Sequence, residues 1–249
     1  MEKTLRSKPL VGNLTCDEHE RHNQRWGVIL AGGDGKRLLP LTRKITGSEC
    51  PKQFCSILDG ETLLSQSRHR VGRMVSSRKT LVVVTEAHDR FYADQVSGLH
   101  SSCLLAQPYN RGTASAIIYS LLRVRALDPG AIISFFPSDH HFEDDEGLVT
   151  AMEPAFRAAE RQFEGVILLG ITPSGPEVQY GWIEPGSPLT DQGSISRVSR
   201  FWEKPSLALA SALMDRGCLW NSFIMVGRID CFLSLIRRSA SFAAVLRVD

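Results

Sequence analysis

Short apolar runs alternate with amphipathic stretches along the first two thirds of the chain. Runs of four to six mainly apolar residues are typical of buried parallel strands, and they predict strands at residues 26–30, 80–85, 103–106, 131–136 and 166–169. Between these runs apolar residues recur with helical spacing, which predicts helices at residues 62–74, 88–96, 113–126 and 151–163. Because strands and helices alternate, we expect an α/β fold with a mostly parallel sheet flanked by helices.

The pattern changes after residue 170, where Gly, Pro and Ser become frequent. Strands are predicted at residues 180–184 and 194–202, joined by a turn, and at 222–227, with helices at 207–214 and 229–236. We therefore expect a Rossmann-like domain over residues 26–249, with a small β-rich portion in its C-terminal half. Residues 1–25 show no sustained periodicity and are predicted to form a poorly ordered arm. No clear closing element precedes Asp249, which suggests a chain truncated at its C-terminus.

Composition excludes several classes of protein. With 249 residues and 43% hydrophobic content, the chain can bury a full core. Its formal net charge of +2 is nearly balanced, so we expect no binding to nucleic acid or to an anionic membrane surface. The six cysteines form no CxxC pair, and no apolar run reaches the roughly 18 residues of a membrane span. These features predict reduced thiols and a cytoplasmic location.

Residues 26–54 read WGVILAGGDGKRLLPLTRKITGSECPKQF and change from apolar to glycine-rich to basic. The glycines of this segment lack the Cβ atoms that would keep a ligand from the backbone, so several N–H groups can converge on phosphate oxygens. Arg37 and Lys52 then add positive charge. The segment is therefore predicted to cradle phosphates.

Other interpretations of the glycine-rich segment fit less well. A dinucleotide fingerprint requires a third glycine where Leu38 stands. A P-loop requires Ser or Thr after the lysine, whereas Lys36 is followed by Arg37. An ordinary glycine turn with a basic surface is the remaining alternative.

Two polar segments follow predicted strands at the end where open α/β sheets bind ligands. After the third strand, the Gln107 amide offers a donor beside an acceptor, and Gly112 allows the backbone to approach a flat ring. The alternative is an ordinary helix-start loop capped by Thr113. After the fourth strand, the Asp139 carboxylate suits a hard divalent cation, which prefers oxygen ligands. The adjacent histidines do not favour a zinc site, because neighbouring residues seldom converge on one ion.

In order along the chain, these segments resemble the motifs of the sugar-1-phosphate nucleotidyltransferases, and PKQF at residues 51–54 resembles the mannose-1-phosphate guanylyltransferase type. Three later segments resemble sugar-contact motifs of that family: QYGWIE at 179–184, FWEKP at 201–205 and WNS at 220–222. The resemblance extends from about residue 26 to residue 236. The base-reading segment departs from the type, which more often carries Glu-Pro at the position of Gln107 and Arg-Asn-Thr at residues 111–113, so the base stays open.

The resemblance implies a role for each matched residue. Catalysis is assigned to Arg37, Lys52 and Asp139, and Asp139 also to Mg²⁺. Nucleotide binding is assigned to Ala31, Gly32, Gly33, Gly35, Gln107 and Gly112, and sugar-phosphate binding to Gly181, Glu203, Lys204 and Asn221. The second acidic metal ligand of the family has no match before Asp249. Asp230 is the nearest acid, and the alternative for it is a charge at a helix start.

The reaction implied is nucleotidyl transfer from a nucleoside triphosphate to a sugar-1-phosphate, with Mg²⁺ as cofactor. GTP and mannose-1-phosphate are the expected pair, and GDP-mannose and pyrophosphate the products. Two alternatives stay open: a non-catalytic nucleotide-sugar-binding or regulatory paralogue, and a nucleotidyltransferase for another base and sugar. A dinucleotide-dependent oxidoreductase is disfavoured by the missing third glycine. A homo-oligomer is compatible with the sequence, which does not set the oligomeric state.

Overall fold

The computed structural model describes residues 24–56, 60–189 and 195–238. Within these ranges the chain forms an eight-stranded sheet with helices on both faces. The strands are β1 Arg25–Leu30, β2 Thr80–Thr85, β3 Leu104–Gln107, β4 Ile132–Pro137, β5 Val166–Ile171, β6 Gly181–Pro188, β7 Ser196–Glu203 and β8 Leu219–Arg228. The helices are α1 Leu39–Thr46, α2 Leu63–Gly72, α3 Asp89–Tyr92, α4 Thr113–Leu127, α5 Asp145–Glu160, α6 Leu207–Asp215 and α7 Ile229–Arg238.

The strand order is β3-β2-β1-β4-β8-β6-β7, with β5 paired to β8. Strands β3, β2, β1 and β4 are parallel, whereas β8 is antiparallel to β4, β5 and β6. The expected α/β class, with a parallel core and a β-rich C-terminal part, is confirmed. The chain runs outward from β1 to β3 and then returns to the other side of β1 for β4, so a crevice opens between the carboxyl ends of β1 and β4.

The central strands are apolar throughout because both faces of the sheet are covered. In β1, Ile29 packs in a cluster with residues of α2 and α5, whereas its neighbour Val28 packs with residues of α4 and α7. Both side chains are completely buried. Packing on both faces holds β1 in the middle of the sheet, and the glycine-rich segment follows directly at its carboxyl end.

The clearest differences from the sequence-based expectations concern three helical segments. Helix α1 was not expected, although Pro40 stands in its first turn, where proline is tolerated because its missing N–H would be unpaired there. Helix α5 begins at Asp145 instead of residue 151, because the Asp144 side chain caps it by accepting a hydrogen bond from Gly147 N at 2.8 Å. The predicted helix at residues 88–96 is divided into 3₁₀ turns and the one-turn helix α3.

Strand β1 begins at Arg25, one residue inside the predicted N-terminal arm. Residues 1–23 of that arm lie outside the described residues. The Arg25 side chain is only 3% exposed and donates hydrogen bonds to Glu153 at 2.9 and 3.0 Å and to Glu160 at 2.8 Å. Its guanidinium also stacks on the Phe156 ring, 4.5 Å from the centroid. Arg25 thereby ties β1 to α5.

In the described part of the chain, no helix has the length and apolar character to cross a membrane.

We predict that Arg25→Met lowers the free energy of unfolding by about 3 kcal/mol, because it leaves the largely buried Glu160 carboxylate without its partner. The matched control is Arg157→Met, which removes a 66% exposed partner from the same Glu153 and should cost less than about 0.5 kcal/mol. Urea denaturation of both variants measures the difference. Equal losses would show that the buried network does not stabilise the fold.

Candidate active site

A cavity of about 760 Å³ opens at the carboxyl ends of the parallel strands. Its wall is formed by residue 30 at the end of β1 and residues 32–38 after it, and by residues 52–53. Further along the chain it includes residues 107, 110, 112, 113 and 116, from the end of β3 into α4, residues 137–140, from the end of β4 onward, and Phe223 of β8. The crevice expected from the strand order is therefore lined by the segments that the sequence analysis selected. Such a volume is in the range of small-molecule sites.

Three consecutive carbonyls of the glycine-rich segment are held from below. Gln53 Nε2 donates to Ala31 O at 2.9 Å and to Gly33 O at 2.6 Å, and Thr85 Oγ1 donates to Gly32 O at 2.9 Å. Gln53 and Thr85 are both buried, so these hydrogen bonds are shielded from water. With its carbonyls held by protein donors, the segment keeps its shape without a ligand.

Two glycines of this segment are required by space or backbone conformation. A Cβ on Gly35, which has φ +61°, would lie 3.0 Å from Lys52 N. A Cβ on Gly32 would lie 3.1 Å from Thr85 Oγ1. At these two glycines the backbone therefore passes close to Lys52 and to Thr85. Such close approach of bare backbone is what a phosphate cradle requires.

A short ion pair spans the cavity wall. Lys52 Nζ lies 2.5 Å from Asp139 Oδ2, and each of these side chains is 30% exposed. His140 Nε2 lies 3.9 Å from the other carboxylate oxygen of Asp139. The cation and the carboxylate that the sequence analysis assigned to chemistry are thus adjacent, and each neutralises the other in the ligand-free protein.

A second carboxylate, Asp34, belongs to the same wall. Its oxygens lie 3.6 Å from Lys36 Nζ and 3.7 Å from His88 Nε2. Burial lowers the pKa of His88, and the neighbouring Asp34 carboxylate offsets part of that effect. Arg37 is exposed and has no ion-pair partner in the part of the chain that the structure covers, which leaves its guanidinium available to an anion.

The donor set suits a hard cation and not zinc. The described ranges contain no group of three or more His, Cys, Asp or Glu residues that could hold a metal ion by themselves. The Asp139 carboxylate in an open cavity fits Mg²⁺, which commonly takes one or two carboxylates and completes its shell with water and substrate phosphates. Asp139 would hold such an ion, with Asp34 as the other carboxylate of the wall.

Asp230 does not belong to this site, and its interpretation as a substitute metal ligand is wrong. It lies in the first turn of α7, just after Arg228, which pairs with Ile132 at the start of β4. Asp139 follows the other end of the six-residue strand β4, which is roughly 17–20 Å long at about 3.3 Å per residue. The Asp230 carboxylate instead lies 3.7 Å from Arg125 Nη1 of α4.

The predicted base-reading segment forms another part of the wall. The Gln107 side chain ends β3 and is buried beside Gly32, and among the residues described its amide has no hydrogen-bond partner. Gly112 has φ +84° and is the N-cap of α4, so Thr113 is not the cap. Its N–H is held by Asn110 Oδ1 at 2.9 Å. A free amide at the edge of a cavity can read a hydrogen-bonding edge of a ligand.

Comparison with known proteins identifies the family. The family described as nucleotidyl transferase matches residues 26–245, which is most of the chain. This chain belongs to the nucleotidyl transferase family. Its fold is similar to the crystal structure of a mannose-1-phosphate geranyltransferase from Thermus thermophilus, with a TM-score of 0.76 and 31% identity over 90% of this chain and 64% of that one.

Two curated relatives illustrate the similarity in sequence. The alginate biosynthesis protein AlgA of Pseudomonas aeruginosa is 31% identical over 214 residues, or 85% of this chain and 43% of that protein. A mannose-1-phosphate guanylyltransferase of Salmonella montevideo is 30% identical over 217 residues, or 84% and 44%. The chain therefore spans less than half the length of these relatives.

Most of the residues assigned to nucleotide binding or catalysis in this member of the family line the cavity: Gly32, Gly33, Gly35, Arg37, Lys52, Gln107, Gly112 and Asp139. Ala31 lies beneath the wall instead. It is completely buried, its N–H donates to Val83 O at 2.7 Å and its carbonyl accepts from Gln53. Ala31 thus supports the segment from below and has no free backbone group for a ligand.

The four residues assigned to the sugar phosphate lie outside this cavity wall. Gly181 of β6 pairs with Glu203 of β7, and a Cβ on Gly181 would lie 2.6 Å from the Phe201 ring. The Glu203 carboxylate lies 3.6 Å from Lys204 Nζ, and both side chains are more than half exposed. Asn221 Oδ1 accepts a hydrogen bond from Phe223 N at 3.1 Å. The structure joins Gly181 to Glu203 and Lys204, but not to the phosphate cradle.

Phe223, which the sequence analysis missed, is the contribution of β8 to the wall. It has φ +60°, an uncommon conformation for a residue with a side chain. The register of β5 and β8 shifts beside it, and the Asn221 side chain holds its N–H. The clamping roles of Gln53 and Thr85 were missed as well. Apolar or polar character alone carries no signal for such contacts, although the WNS motif marked the neighbourhood of Phe223.

We predict that Gln53→Met weakens nucleotide binding about tenfold, because two buried loop carbonyls lose their donor and the cradle loses its shape. Nucleotide affinity can be measured by isothermal titration of purified protein. The control is Gln66→Met, which removes a half-buried glutamine whose side chain, among the described residues, hydrogen-bonds to His141 alone, at 3.3 Å, and it should bind as the unmodified protein does. Unchanged affinity in Gln53→Met would show that the clamp is dispensable.

Proposed function

We propose that this chain transfers a nucleotidyl group from a nucleoside triphosphate, GTP in the first instance, to mannose-1-phosphate, giving GDP-mannose and pyrophosphate. The observation that carries the proposal is the meeting of the glycine-rich segment, Lys52 and Asp139 in one cavity of a chain that belongs to the nucleotidyl transferase family. The relatives named for mannose-1-phosphate support the choice of sugar phosphate.

The proposed reaction needs no protein nucleophile. An oxygen of the sugar-1-phosphate attacks the α-phosphorus of the triphosphate, and the bond from that phosphorus to the bridging oxygen of the β-phosphate breaks. Pyrophosphate leaves with the electron pair of that bond. Because the attacking phosphate is already ionised, the protein has to align two polyanions and offset the charge that accumulates in the transition state.

The residues of the cavity would divide this task. Loop N–H groups, oriented by Gln53 and Thr85, would bind triphosphate oxygens. The Arg37 guanidinium, which has no ion-pair partner among the described residues, would bind an outer phosphate through two parallel hydrogen bonds. Lys52 would neutralise charge near the reacting phosphorus, at the point where the two phosphate groups meet.

The pairing of Lys52 with Asp139 supports an exchange of partners when substrates bind. In the ligand-free protein the two groups neutralise each other at 2.5 Å. Nucleotidyltransferases of this kind use a divalent metal ion, and we propose that Asp139 holds Mg²⁺. A bound Mg²⁺ would supply electrophilic stabilisation of the triphosphate. With Asp139 assigned to the ion, the Lys52 ammonium would contact the phosphates.

We propose that Gln107 reads the base. The Gln107 amide can accept from an N–H and donate to a neighbouring carbonyl oxygen, a pairing that suits the N1–H and O6 of guanine. Because an amide also rotates to pair with other base edges, this residue favours guanine less strictly than a carboxylate would. Gly181, Glu203, Lys204 and Asn221 are proposed to bind the sugar phosphate, which requires the β6–β7 hairpin to face the substrate.

We predict that purified protein releases pyrophosphate only when a nucleoside triphosphate, a sugar-1-phosphate and Mg²⁺ are all present, with GTP and mannose-1-phosphate the fastest pair. A matrix of the four ribonucleoside triphosphates and several hexose-1-phosphates, with pyrophosphate release as readout, tests this. Turnover with another pair would correct the base or the sugar. Nucleotide binding without turnover for any pair would favour the non-catalytic paralogue.

We predict that Lys52→Ala lowers the rate at saturating substrates by about 10²-fold, comparable to removing one preorganised electrostatic donor. Arg37→Ala should act in the same direction. Lys44→Ala is the matched control, since Lys44 is an exposed lysine of α1 outside the cavity wall, and its rate should stay within about twofold of the unmodified protein. Equal rates for Lys52→Ala and Lys44→Ala would remove Lys52 from the mechanism.

A further inference from the structure

Arg70 of α2 lies next to the loop that carries Asp139, although no motif marks it. The residue is only 3% exposed, so its charge needs partners within the protein. Arg70 Nε donates to Asp145 Oδ1 at 2.5 Å, and Nη1 donates to His140 O at the limiting distance of 3.5 Å. The guanidinium also lies over the Phe142 ring, 4.7 Å from its centroid.

These contacts cover the loop from one end to the other. Asp145 is the first residue of α5, Phe142 stands in the middle of the loop, and His140 directly follows Asp139. The planar guanidinium donates from two nitrogens and stacks at the same time, which the single ammonium of lysine cannot do. At the other end, Ser138 N donates to Leu30 O at 3.3 Å.

A neighbouring pair shows what an arginine without this geometry does. Arg73, one turn further along, pairs with Glu146 at the same 2.5 Å, but its side chain is 41% exposed and that of Glu146 83%. In the described part of the chain, the Arg73 side chain makes no hydrogen bond or ion pair with residues 138–144 of the loop. Both arginines link the end of α2 to the start of α5. Only Arg70 of the two also contacts the loop, through His140 O and the Phe142 ring.

We propose that Arg70 is a positioning residue that holds the peptide after Asp139 and thereby directs the Asp139 carboxylate into the cavity. The proposal deepens the proposed function and depends on it for its kinetic consequence, since Asp139 is there the residue that engages Mg²⁺. The consequence for the loop itself holds without any ligand. When Arg70 is replaced, the carboxylate samples orientations in which it meets neither Lys52 nor a cation.

The test compares Arg70→Lys with Arg73→Lys as its matched control. Hydrogen exchange, measured by mass spectrometry on the ligand-free proteins, should become faster in residues 138–144 for Arg70→Lys and stay unchanged for Arg73→Lys. In the pyrophosphate assay Arg70→Lys should lower kcat and raise the half-saturating Mg²⁺ concentration, each by about tenfold, as expected for a residue that orients a metal ligand. Phe142→Leu, which removes the stacked ring, should shift both quantities in the same direction.

A double-mutant cycle separates positioning from a general structural role. If Arg70 acts through Asp139, then Arg70→Lys should change the rate less than about twofold in an Asp139→Asn background. A full tenfold loss there, or faster exchange throughout the sheet, would overturn the proposal. So would equal behaviour of the two lysine variants. Absence of turnover in the unmodified protein would overturn the proposed function instead, and the exchange experiment would still decide whether Arg70 holds the loop.

Discussion

The parallel pairing of β1 with β4 is the constraint on which the site depends. The two strands run side by side from Arg25 opposite Ile132 to Leu30 opposite Pro137. Each strand continues at its carboxyl end into a loop, one rich in glycine and the other bearing Asp139. Because the strands are parallel and in register, both loops emerge at the same edge. Lys52, which follows α1 and packs against Gly35 of the first loop, lies 2.5 Å from Asp139 of the second. Burial of both sheet faces fixes this pairing.

Around this pairing, the structure supports the loops with buried polar side chains. Gln53 and Thr85 hold three carbonyls of the glycine-rich segment, and Arg70 holds the Asp139 loop. All three side chains are buried, where an unmade hydrogen bond costs most. Among the described residues, the exposed Arg37 guanidinium and the buried Gln107 amide have no partner in the protein, so both can bind a ligand in the cavity. A site built in this way is preorganised for anions.

Charged side chains of the cavity wall form ion pairs with one another. Lys52 pairs with Asp139, and Lys36 pairs with Asp34. Within each pair the two opposite charges neutralise each other. Under the proposed function, these pairs would exchange partners when substrates bind. The affinity for nucleotide would then depend on how much of this internal pairing the phosphates replace.

The sequence by itself determined the α/β class, most strand positions and the segments that line the cavity, because glycine spacing, strand-end acids and apolar runs are local properties. Tertiary structure alone decided the rest. Asp230 lies far from Asp139. Because β8 runs antiparallel to β4, the chain reaches Asp230 at the end of the sheet opposite to Asp139. Ala31 is turned inward by its pairing with β2, and the partners of Gln53, Thr85 and Arg70 lie between 20 and 75 residues away. Such contacts depend on strand direction and burial, which no local pattern of side chains encodes.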